Sequence, residues 1–244
     1  MYRSLSLALL VTALAGCQAR TAPDVDAQAR KAFIHDVQHA IIGSIATAFT
    51  SKQVGVARLQ LILDRHSVPV GCKTLRSQAK DNQNLPGDVQ RTNEKALAKL
   101  VEAQCWKTIY PVVPNAMYGE KDTLELIAPL IVQLPLGNGL AQANARRAFF
   151  WEHLLRDQPV TSVGRASVFY QANAQGKLEA CLVQLHPHPL RPDDFRLDGD
   201  LQSRLNSRCL ALDLSRMPGF APDMHGVAKG SSELDYAPWR VGRP

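Results

Sequence analysis

Apolar and polar positions alternate from residue 57 onward, with Ala57, Leu59, Leu61 and Leu63 interleaved by Arg58 and Gln60. A period of two predicts a strand buried on one face. The same alternation returns at Ala166, Val168, Tyr170 and Ala172. Each stretch runs into a turn, Asp64-Arg65-His66-Ser67 in the first and Asn173-Ala174-Gln175-Gly176 in the second, then into a short strand ending at a cysteine. Each reads as a hairpin. After a loop carrying Asn, Asp, Pro and Gly the period changes: Leu97, Val101 and Cys105 lie at i, i+4 and i+8, and so do Leu201, Leu205 and Cys209. That spacing predicts two helices, each with a cysteine on its apolar face. Thr92 or Asn93 can cap the first and Asp200 the second. Upstream, Phe33, Val37, Ile41, Ile45 and Ala48 form a helical stripe, and final strands are expected over Thr123 to Leu134 and Glu233 to Val241.

The hairpins share a written frame. VGVARLQLILDRHSVPVGC and VGRASVFYQANAQGKLEAC both open Val-Gly-x-Ala and both reach a cysteine 17 residues after the glycine. A slide of 109 residues lays Gly55 on Gly164, Cys72 on Cys181, and Ala128-Pro129 on Ala237-Pro238. The helix before each frame also repeats, Ala29 to Phe33 echoing Ala145 to Phe149, but 116 residues apart. Such a period is too long for a solenoid unit and implies a duplicated domain. The expected class is α+β, as two tandem units of helix, strand, strand, helix, strand over residues 28–136 and 137–244.

Residues 1–16 predict an address. One arginine and an apolar run from Leu5 to Leu14 have the size of a secretory signal and are too short to span a bilayer. The run ends Leu14-Ala15-Gly16-Cys17, which resembles the lipobox of bacterial lipoproteins, whose cysteine is acylated. The resemblance implies lipidation at Cys17, with 17–27 as the lipidated residue and a short linker. Gln18, where an Asp would favour the inner membrane, implies outer-membrane attachment facing the periplasm. Of five cysteines, four then remain in an oxidising compartment, enough for two disulfides with three connectivities. The repeat selects Cys72 with Cys105 and Cys181 with Cys209, each tying a hairpin to the helix across it.

At 244 residues, 45% apolar and 20% charged, the chain is long enough for two cores and is neither disordered nor a membrane bundle. Its formal charge of +6 is spread without a dense Lys/Arg run, so no nucleic-acid partner is expected.

A hairpin with a D-x-x-G or N-x-x-G turn, a helix and a last strand entered through a Pro-containing loop resembles the C-terminal domain of TonB-type proteins. Gly176, Cys181 and Cys209 match that pattern, as do Cys72, Cys105 and the stretch Trp106 to Pro114. The resemblance implies the fold and a habit of binding extended peptides at a sheet edge. A lipobox and a short linker replace the membrane helix and Pro-rich spacer of the energy transducers, so force transduction is not carried over. Ser67 stands where the turn usually has glycine.

Candidate chemistry is sparse. His35 and His39 lie at i and i+4 with Asp36 between, near the H-E-x-x-H zinc pattern, yet fall on the polar side of their helix. His186-Pro187-His188-Pro189 reads as a stiff loop, Asp193-Asp194 as a loop pair, and Gly137-Asn138-Gly139 as a linker turn whose sixth position, Gln142, breaks a dinucleotide fingerprint. No nucleophile motif is present, and no metal, cofactor or catalytic residue is expected. The expected function is a non-catalytic module binding a periplasmic protein through the edge strand LELIAPLIVQLP, with Leu124, Leu126, Leu130 and Val132 as candidate contacts. Alternatives are an immunity protein against a periplasmic hydrolase, a hydrolase using His35 and His39, and a structural spacer.

Overall fold

The computed structural model describes residues 25–49, 53–78, 85, 91–119, 121–134 and 138–241. The signal segment, Cys17 and Gly137 lie outside the described residues. The first half runs α1 (Val25–Ala48), β1 (Gln53–Leu63), β2 (Pro69–Leu75), α2 (Glu94–Lys107) and β3 (Leu124–Leu134). The second runs α3 (Asn138–Phe150), β4 (Gly164–Asn173), β5 (Leu178–Pro187), α4 (Gly199–Leu210) and β6 (Val227–Tyr236). The molecule is α+β, with two separate three-stranded antiparallel sheets ordered β2-β1-β3 and β5-β4-β6.

Alternation puts Ala57, Leu59, Leu61 and Leu63 into the first core and Ala166, Val168, Tyr170 and Ala172 into the second. Leu97, Val101 and Cys105 of α2, and Leu201, Leu205 and Cys209 of α4, are buried against those faces. Each such aliphatic side chain removed from water contributes about 1.5–3 kcal/mol. The bridges Cys72–Cys105 and Cys181–Cys209 both form, with Cα atoms 5.9 Å apart in each.

The duplicated glycine has a steric reason. A Cβ at Gly55 would stand 2.6 Å from Leu97 Cδ2, and one at Gly164 would stand 2.4 Å from the Tyr236 hydroxyl. Both openings of the frame are places where a core side chain crosses the strand start closely.

Several details differ from the sequence pattern. In the α1 stripe Phe33, Val37, Ile41 and Ile45 are buried, but Ala48 is exposed and Phe49, just past the helix, fills that place. The helix starts at Val25, inside the expected linker. Asn93 caps α2 by accepting from the amides of Lys95 and Ala96, whereas α4 is capped by Asp198, which accepts from Leu201, and Asp200 lies within its first turn. Asp198 wins because it stands one residue before the helix in extended geometry, where its carboxylate reaches the third amide on.

The last strands do not keep the 109-residue spacing. Gly55 faces Val132 and Gly164 faces Tyr236, an offset of 104 that Cys105 and Cys209 share. Five fewer residues separate hairpin from helix in the second half, and everything after moves with them. Ala128-Pro129 therefore sits inside β3, while Ala237-Pro238 lies beyond β6. The second final strand spans Val227–Tyr236, earlier than Glu233 to Val241. A turn in which the Asp223 carboxylate accepts from the His225 and Val227 amides, with Gly226 at φ 74°, launches it early.

Candidate functional site

β3 lies at the edge of its sheet. It pairs with β1 from Leu124 to Leu134, and among the described residues no strand pairs with its other side. Leu124, Leu130 and Val132 are buried and Leu126 is half-buried, so these four serve the core rather than an open surface. The outward positions are Glu125, Ile127, Pro129, Ile131 and Gln133, and Ile127 is 48% exposed. Beside the strand a hollow of about 130 Å³ is lined by Ile42 and Ile45 of α1 with Ile131, Val132 and Gln133. A partner strand on this side would meet unpaired backbone and one apolar recess.

The histidine patterns separate. The His35 and His39 rings lie tilted with centroids 4.2 Å apart on the exposed side of α1, with His35 near Asp36. His186 meets the Ser167 hydroxyl at 3.0 Å, whereas His188 approaches a different partner, Asp235, at 3.7 Å. Asp194 is held by Arg191. Among the described residues no three His, Cys, Asp or Glu side chains gather to hold a metal ion, and no helix is long and apolar enough to cross a membrane.

A second place was not foreseen from sequence. The two halves meet along a seam where Asn144 donates to the carbonyls of Ala46 (2.8 Å) and Phe49 (2.9 Å), and Trp239 Nε1 to Thr108 O (3.4 Å). Buried Arg191 reaches His66 O at 2.9 Å and stacks over Trp239. Ile109 packs with Val163 and Ala237.

Along this seam lies a cleft of about 270 Å³ lined by residues of both halves. Lys107 at the end of α2, Arg147 of α3, Arg165 of β4 and Arg240 bring four cations to it, with Asp235 as the lining carboxylate. Arg165 takes both nearby acids, Asp235 at 2.6 Å and Glu233 at 3.1 Å. Burial opposes the charge of Arg165, but hydrogen bonding to Asp235 raises its pKa. Burial likewise opposes ionisation of Asp235, yet hydrogen bonds from His188 and Arg165 hold its carboxyl well below the usual range. Arg147 donates only to neutral acceptors, Glu233 O at 3.2 Å and Asn144 Oδ1 at 2.8 Å. Arg240 stacks on Trp151 and gives one bond to Asp235 O at 2.7 Å, leaving its Nε buried without an acceptor. Burial lowers the pKa of both Arg147 and Arg240. Positions from 107 to 240 contribute, so no local motif announces the cluster. Compared with known protein families, curated proteins and solved structures, the chain matches none of them.

Proposed function

We propose that the chain is a lipid-anchored, outer-membrane, periplasm-facing protein made of two tandem TonB-like units, 28–136 and 137–244, that binds another periplasmic protein and catalyses nothing. The tandem reading is supported by the order helix, strand, strand, helix, strand occurring twice, with a cysteine bridge at the same place in each copy. The observation that carries the binding reading is the unpaired side of β3 with its apolar hollow. An extended peptide adding along β3 gains backbone hydrogen bonds from the edge and specificity from a side chain set between α1 and Ile131.

The test is photo-crosslinking in cells from a reactive residue at position 127 of the full lipidated chain. One periplasmic protein captured in stoichiometric amount, and lost with Ile131→Asp, is the expected result. Capture that is unchanged by Ile131→Asp removes β3 from the reading. A captured hydrolase whose activity the chain blocks converts it to the immunity reading. Palmitate labelling that persists in Cys17→Ser would refute the anchor.

A further inference from the structure

We propose that the cleft between the two halves is a binding site for a phosphate monoester group, independent of the β3 edge. The charge balance asks for such a ligand. Four cations, Lys107, Arg147, Arg165 and Arg240, stand against two carboxylates, Asp235 and Glu233; both carboxylates pair directly with Arg165, and His188 also approaches Asp235. Among the described residues Lys107, Arg147 and Arg240 have no ion-pair partner. The excess of two positive charges matches a phosphate monoester dianion. A partly buried guanidinium whose contacts are neutral carbonyls and an amide is poorly compensated, and an entering anion supplies what is missing.

The geometry agrees with the charge. The guanidinium groups come from α3, β4 and the segment after β6, all in the second half, and Lys107 comes from the first. Arg240 lines the cleft with its Nε buried and without an acceptor, so its guanidinium is left short of one hydrogen bond. Planar arginine forks and a lysine point charge suit phosphate oxygens. At about 270 Å³ the space lies just under the usual range of pockets for drug-sized ligands, enough for a phosphate and a short substituent. Because Lys107 belongs to the first half and the arginines to the second, an occupant also holds the halves together.

The same group is offered by a soluble phosphate ester and by a phosphatidic acid headgroup. Calorimetric titration of the full chain with glycerol phosphate, and flotation with phosphatidic acid against phosphatidylcholine vesicles, distinguish the two sources. One saturable site per chain is expected, weakened about tenfold or more by Arg147→Gln and by Lys107→Gln and unaffected by Arg208→Gln on the exposed face of α4. Succinate, of equal charge and different geometry, should bind more weakly. Absence of saturable binding of the ester and of the acidic vesicles, or binding as tight in Lys107→Gln as in the parent, overturns the proposal. Should Arg147→Gln not fold, the Lys107→Gln variant decides alone.

Discussion

Ser67 and Gly176 hold the same place in their hairpins, and each has a left-handed backbone, φ 56° and 82°. At Gly176 no side chain fits, because a Cβ would lie 2.3 Å from the Ser215 amide nitrogen. At Ser67 the side chain is used instead: fully buried, its hydroxyl accepts from the Val113 amide at 2.8 Å. Ser67→Ala leaves that amide unpaired and should cost about 1–3 kcal/mol in denaturant unfolding. Ser67→Gly loses the same bond but recovers about 1–2 kcal/mol of left-handed strain, so its midpoint should fall between parent and Ser67→Ala. Asp235 gives a pH signature. Its folded pKa lies below the unfolded value, so its carboxylate stabilises the fold above about pH 4, and this contribution is lost as pH falls toward the folded value. Stability measured across that acid range should fall less steeply in Asp235→Asn than in the parent; equal slopes would contradict the assignment.

Among elements, the bridges close loops of 33 and 28 residues in sequence separation. Removing either pair by Cys→Ser substitution should cost about 3–4 kcal/mol in the chain-entropy model, read from unfolding midpoints. Nonreducing peptide mapping should recover Cys72 with Cys105 and Cys181 with Cys209 and no crossed pair. This level of the fold was the most legible from sequence. Strand alternation and helical spacing are local, and the pairings follow once both cysteines of each half face one sheet. The final strands were less legible, because Ala-Pro recurs at the hairpin offset by coincidence while the pairing obeys the shorter offset of helix and strand. The edge position of β3 could be inferred from Pro129 and its apolar run. Its outward face is marked by two polar positions, Glu125 and Gln133, which share the period-two register of Ile127, Pro129 and Ile131. The candidate contacts Leu124, Leu126, Leu130 and Val132 have the opposite parity and turn to the core.

Over the whole molecule, the seam sets behaviour that neither half has alone. Asn144 is buried and satisfies two carbonyls at the end of α1, so Asn144→Ala leaves both without that donor. Combined with Trp239→Ala, it should split one calorimetric unfolding transition into two, one for each core; a single transition in the double variant would show that the halves are coupled elsewhere. Sequence patterns could not disclose the seam, because its members are single residues, polar and apolar, on separate segments and their meeting depends on how the halves dock.

Trp239 and Arg240 come after β6, the last strand of either sheet. During vectorial synthesis they emerge when all six strands of the two sheets have already been made, so the sheets can assemble before the clasp onto Thr108 and Asp235 exists. The cleft is thus a feature of the finished molecule only. A nascent chain that has not yet reached Arg240 lacks part of the cleft's lining, so the complete cleft exists only after synthesis has passed that residue.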